Sequence, residues 1–143
     1  MSTVPTLNGQ VIGQAHYATR ALLERAVAPL GLSFGQVLAL NALAGGPVER
    51  DHLTQRITST LKVDAPAVHE VIAGLVDAHL VRDDTDGARI RLTDTGHAAQ
   101  ARVTDAVSGI TARLYADIPA DEASAAARVL TLVTQRANAE LAA

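Results

Sequence analysis

The side chains that bear on chemistry in this chain are its histidines and its basic residues, set among a slight excess of carboxylates. The 143 residues include no cysteine, which excludes disulfides, thiol catalysis and thiolate metal sites. Histidines stand at His16, His52, His69, His79 and His97. No two have the i, i+4 spacing of a helical metal pair, so a zinc site would need ligands from different helices. No serine, histidine and acid arrangement is legible, and no glycine-rich phosphate cradle or other cofactor motif. The chain is therefore expected to be no enzyme and to hold no cofactor. Of the twelve basic residues, Lys62 is the one lysine and the rest are arginine. Arginine neutralises phosphates and donates paired hydrogen bonds to base edges.

Two groups of polar residues are candidates for binding. The first is Lys62, Arg82, Arg89 and Arg91 as phosphate contacts, with His69 as a reader of base edges. Each also has a plain reading. Arg89 and Arg91 alternate with Ile90 as a solvated strand face would, Arg82 can pair with Asp84, and Lys62 can close a helix at its carbonyl end. The second group is His16 and Tyr17 with Arg20 one turn on, the most polar interruption of an otherwise apolar helix. In a pocket these three would grip an anionic aromatic ligand; otherwise they are surface or dimer-contact residues. Asn41, polar among Val37, Leu38 and Leu43, either lines the same pocket or faces solvent.

The elements that must position these residues follow from periodicity. Leu7, Val11, Ala15, Leu22 and Ala26 predict an amphipathic helix over 7–28, ended near Gly31. Ser33 and Gln36 have capping-box spacing and open a second helix, which Gly45-Gly46-Pro47 stops. A third helix runs from about Glu49 to Ser59, and Thr58 to Val63 is a turn or a frayed extension of it. Asp64 caps a fourth helix with Pro66 in its first turn. Residues 80–82 and 89–92 are strand-like around a turn-rich stretch, which predicts a hairpin. Thr93 or Asp94 caps a fifth helix, Pro119 breaks the chain, and a sixth helix follows from Asp121. The fold class is mainly α: a winged helix-turn-helix over 34–93, with four helices and a β-hairpin wing, flanked by long N- and C-terminal dimerisation helices. The whole, 1–143, is expected to form one domain, with 1–33 and 94–143 as its dimerisation parts. The end helices carry more apolar surface than a small winged helix can cover, which calls for a second copy in a twofold homodimer.

Composition narrows the partners. Tyr17, Phe34 and Tyr115 are the only aromatic residues, too few for the stacking platforms that hold single-stranded nucleic acid. No apolar run reaches the roughly 18 residues of a membrane span, so no membrane is expected and a cytoplasmic location is.

Several short words then carry a likeness: Ala28-Pro29-Leu30-Gly31-Leu32-Ser33 before the second helix, Ala44-Gly45-Gly46-Pro47 after it, and Pro66-Ala67-Val68 opening the fourth. Leu80-Val81-Arg82 enters the wing and Arg91-Leu92-Thr93-Asp94-Thr95-Gly96 leaves it. In this order, on an almost all-helical frame, the chain resembles the MarR family of bacterial transcriptional regulators along nearly its whole length. The resemblance implies a homodimer laid on a palindromic operator in double-stranded DNA. It also implies a small-molecule, often phenolic, effector held between the dimer region and the DNA-binding lobe.

The chain departs from that pattern in ways that matter for DNA. The formal charge is −3, and residues 49–93 hold six basic and eight acidic side chains. The fourth helix offers His69, Glu70, Ala73 and Gly74 where the family usually has arginine. The turn before it, Thr58 to Lys62, reads as longer than the family's tight turn. The wing is shorter and lacks the family's Asp-Arg-Arg word, with Asp86 and Arg89 as a substitute pair. These features support an alternative: a MarR-like dimer with weak or lost DNA binding, acting on a small molecule, a protein partner or, as a recruited enzyme, a substrate.

Overall fold

A computed structural model describes residues 4–143. Helix α1 spans Gly9–Val27, with Asn8 as its cap: the Asn8 side chain accepts the Val11 N–H at 2.9 Å. Leu7, expected inside this helix, precedes it. A single 3-10 turn, Ala28–Leu30, follows and ends at Gly31, whose φ of 74° is left-handed and suits glycine. Helix α2, Phe34–Leu43, opens with the capping box complete: Ser33 Oγ accepts the Gln36 N–H, and Gln36 Oε1 accepts the Ser33 N–H.

The strand β1, Val48–Glu49, leads directly into α3, Arg50–Leu61. Then come α4, Ala65–Asp77, and the strands β2, Val81–Asp83, and β3, Arg89–Leu92. The expected two-stranded hairpin is thus the larger part of a three-stranded antiparallel sheet in the order β1-β3-β2. Its register pairs Val48 with Ile90, Val81 with Leu92 and Arg82 with Arg91. Alternation along the strands turns Val81, Ile90 and Leu92 into the core and the arginines outward.

Helix α5 spans Asp94–Leu114. Thr93 is its cap: Thr93 Oγ accepts the Gly96 N–H at 3.0 Å and donates to the His79 carbonyl at 2.6 Å. Gly96 is buried here against the chain entering β2, and a Cβ at this position would overlap the Leu80 carbonyl oxygen. One core joins Val27 of α1, Leu40 and Leu43 of α2, Leu53 of α3, Ile72 and Leu75 of α4, Ile90 of β3 and Val103 of α5. These elements form a compact unit that runs to Ile110. A second unit, Thr111–Ala143, contains α6, Ala120–Ala142, which begins one residue before the expected Asp121 and has no buried residue. Among the described residues, no single helix is long and apolar enough to cross a membrane.

Candidate nucleic-acid interface

Helices α3 and α4 form the helix-turn-helix. Thr58, Ser59 and Thr60 are poor helix formers in isolation, yet α3 continues through them because Ile57 is buried and Leu61 packs against the core. The turn between the helices is therefore three residues, Lys62 to Asp64, and not the longer stretch that the sequence suggested. Lys62 closes α3 in the left-handed conformation, at φ 58°, and its side chain is exposed at the turn. Asp64 then accepts the Ala67 N–H at 3.1 Å and starts α4.

Helix α4 buries Val68, Ile72 and Leu75. It lies close against α2: a Cβ on Gly35 would sit 3.1 Å from a Val71 methyl, and one on Gly74 would press on the Gln36 side chain. Besides Ala65 and Val76, the exposed positions are Pro66, His69, Glu70, Ala73 and Asp77, which share one helical face. His69 is the one side chain on that face with a hydrogen-bond donor for a base edge.

The wing concentrates the cations. Cross-strand pairing sets Arg82 opposite Arg91, and Arg89 lies two residues from Arg91 on the same face. Asp84, just beyond the last residue of β2, accepts from Arg91 with both carboxylate oxygens, one of the two contacts at 3.2 Å. That hydrogen bonding, aided by the charges of Arg91, Arg82 and Arg89 and opposed by desolvation, holds the Asp84 carboxyl below its usual range. The expected partner of Asp84 was Arg82; the register gives it Arg91 instead. Asp86 likewise does not pair with Arg89 but accepts the Ala88 N–H within the turn. Arg82 and Arg89 are exposed and form no ion pair among the described residues.

A second link fixes the wing from below. The Arg50 guanidinium pairs with Asp83, and the Arg50 N–H donates to the Ala88 carbonyl at 3.0 Å. The first turn of α3 is thereby tied to both ends of the wing turn. Sequence reasoning assigned no role to Arg50, because its partner lies 33 residues away and is legible only once β1 is known to flank β3.

The residues expected to hold an effector are not gathered into one place. The His16 and Tyr17 rings meet edge to face, 5.3 Å between centroids, and both side chains are exposed. Arg20 pairs with Glu24 at 2.6 Å, and its guanidinium lies 4.4 Å from the Phe34 ring centre. Asn41 is seven residues from Phe34 along α2, about 10 Å at 1.5 Å per residue. It accepts a hydrogen bond from Gln100 of α5 at 3.3 Å and lines a cleft with Arg56 and Thr60 of α3. No group of three metal-ligating side chains occurs among the described residues.

The fold recurs in proteins of known structure. A mutant Escherichia coli MarR complexed with operator DNA superposes with a TM-score of 0.71 at 21% identity, covering 87% of this chain and 91% of that one. The chain has the fold of the MarR family. A Mycobacterium tuberculosis MarR family protein, Rv2887, solved in complex with DNA, gives a TM-score of 0.67 at 22% identity over 90% of this chain and 98% of that one. CouR from Rhodococcus jostii, bound to p-coumaroyl-CoA, gives 0.74 at 16% identity over 88% and 90%. No family model matches the sequence, and no curated protein does. Within the MarR fold this chain places Arg82 and Arg89, which form no ion pair among the described residues, on the wing and no arginine on α4.

Proposed function

We propose that the protein is a DNA-binding transcriptional regulator of the MarR type, a cytoplasmic repressor that binds a palindromic operator as a homodimer and carries no enzymatic activity. The observation that carries this reading is the unpaired, exposed Arg82 and Arg89 on a wing that Arg50 holds to the first turn of α3. A rigid basic wing beside a helix-turn-helix supplies phosphate contacts, and the exposed face of α4 supplies base contacts through His69. Lys62 at the turn adds a cation, and Arg91 is held back by Asp84.

Dimerisation is supported by the second unit. Val129, Leu130, Leu132 and Val133 are each about 40% exposed on a helix that buries nothing, and Leu7 and Val11 are similarly uncovered at the other end of the chain. Such faces are covered by a second copy. Regulation by a small aromatic or anionic effector is supported by relatives of the same fold solved with p-aminosalicylic acid and with p-coumaroyl-CoA. In this chain His16, Tyr17 and Arg20 are the α1 residues with chemistry for such a ligand, and Asn41 is the α2 residue.

A second reading rests on a specific observation. Asp83 and Asp84 engage Arg50 and Arg91, and α4 exposes Glu70 and Asp77 but no arginine. A protein of this fold with so few free cations would persist as a dimeric ligand-binding or partner-binding protein. Fluorescence anisotropy of the full chain with a duplex from upstream of its own gene, against a scrambled duplex, separates the two. The regulator prefers the upstream duplex. A folded dimer of 14.8 kDa chains that binds neither duplex at low salt is the second protein.

A further inference from the structure

We infer that helix α4 reads one G·C pair in each half-site through two adjacent side chains, His69 donating to guanine and Glu70 accepting from cytosine. This pairing rests on the regulator reading above and adds to it the base pair that α4 selects. His69 and Glu70 are the fifth and sixth residues of α4, in its N-terminal half. That is the part of a recognition helix that meets base edges. Both side chains are exposed, and neither forms an ion pair or a hydrogen bond among the described residues. The residues one turn away from Glu70 are Pro66, Ala67, Ala73 and Gly74, so its own helix offers no cation to neutralise it.

Successive residues of a helix are turned by about 100° and rise by about 1.5 Å. The two side chains therefore leave α4 at nearly the same level and diverge, one toward each strand of a duplex in whose major groove the helix lies. Pro66 and Ala73 lie between them around the helix, and neither is long enough to hold it away from the bases. Asp77, the other carboxylate on this face, is the last residue of α4 and falls outside the part that meets base edges.

A carboxylate brought between two rows of phosphates is repelled unless a donor answers it. In the major groove cytosine offers its N4 amino group and adenine its N6 amino group, whereas thymine O4 and guanine O6 and N7 are acceptors. Adenine also sets its N7 acceptor against the second carboxylate oxygen, so cytosine suits Glu70 best. A ring N–H of His69 suits guanine O6 or N7 on the opposite strand. A donor and an acceptor diverging from one level of the helix thus match the two halves of a single G·C pair. Ala73 lies about 4.5 Å further along the helix than Glu70, little more than one base step, where a methyl group favours thymine. Because Glu70 is repelled by every other base at its position, it sharpens sequence preference while weakening the grip on DNA at large.

The test is selection of the full chain on a pool of random duplexes, followed by anisotropy on single-pair variants of the enriched site. Each half-site is expected to hold one G·C pair whose replacement by any other pair weakens binding about tenfold or more. Glu70→Gln is expected to move the preference at that pair from cytosine to adenine, because the amide both accepts from N6 and donates to N7. Glu70→Ala is expected to erase most of the discrimination there and to tighten a scrambled duplex. Asp77→Asn leaves the preference unchanged, and circular dichroism melts check that each variant is folded. An enriched site with no such G·C pair, or Glu70→Gln and Glu70→Ala variants that tighten every sequence alike, overturns the proposal and leaves the regulator reading standing. A folded dimer that enriches no sequence overturns both.

Discussion

The wing and helix α4 divide between them what an interface with DNA requires, and they do so unevenly. The wing gathers Arg82, Arg89 and Arg91 on one face around a single carboxylate, Asp84. Helix α4 exposes a nearly uncharged face of Pro66, His69 and Ala73, flanked by Glu70 and Asp77. Phosphate contacts set affinity and register, whereas base contacts set sequence preference. On the proposed reading the two come from different elements, and substitutions in one should leave the contribution of the other intact.

The largest effect is expected where both elements meet the rest of the fold. Gly96→Ala forces a methyl into the Leu80 carbonyl at the junction of α4, β2 and α5. Backbone has to move, so the loss should reach the upper end of overpacking costs, about 3 kcal/mol. A denaturant midpoint that falls sharply checks this, and an unchanged midpoint contradicts the close approach. Next in size is the Arg82→Ala, Arg89→Ala double variant. In a dimer it removes four candidate phosphate contacts, and each contributes about 0.9 to the salt slope, so the slope should fall by as much as about 3.6. All sequences should weaken together.

His69→Ala is smaller in affinity but different in kind. It should relax preference at one base pair per half-site, an effect of about 1–3 kcal/mol in discrimination, with the salt slope unchanged. If it weakens every sequence equally, α4 does not read bases and the division between the two elements fails. The smallest effect is expected at Asp84. Its carboxyl is held below the usual range, chiefly by Arg91. A depressed carboxyl contributes stability that is present above its ordinary value near 3.8 and is lost as pH falls through the lowered one. Asp84→Asn should therefore loosen the wing slightly at neutral pH and remove part of its acid sensitivity. It should also tighten DNA binding slightly, by releasing Arg91. Thermal melts across the acid range, paired with anisotropy at neutral pH, check both signs.

Much of the frame was legible because its signals are local. The Ser33–Gln36 box, the Asp64 cap with Pro66 behind it and the Thr93 cap each involve residues within a turn of one another, and the hydrogen bonds that they predict are present. Thr58 to Thr60 misled because β-branched and hydroxyl side chains have low helix propensity, whereas Ile57 and Leu61 beneath them make burial decide. Strand β1 is two residues long, too short for any alternation to show. The candidate site was less legible for a related reason. The choice of Arg91 over Arg82 for Asp84 depends on the strand register, and the association of Asn41 with Arg56 depends on how α2 lies on α3. Both are properties of packing between segments. The one trace of the cleft in the sequence is the i, i+4 spacing of Arg56 and Thr60, which places them on one flank of a helix.

The central claim, that this protein of MarR fold binds operator DNA through its wing, is tested most directly by one titration. Affinity for the duplex upstream of its own gene is measured across salt concentration. With Arg91 retained by Asp84, the wings of a dimer present Arg82 and Arg89 from each subunit, four contacts in all. The expected result is preferential binding, with the wing contributing about 3.6 to the slope of log affinity against log salt. A folded dimer that shows no binding to that duplex even at the lowest salt would contradict it.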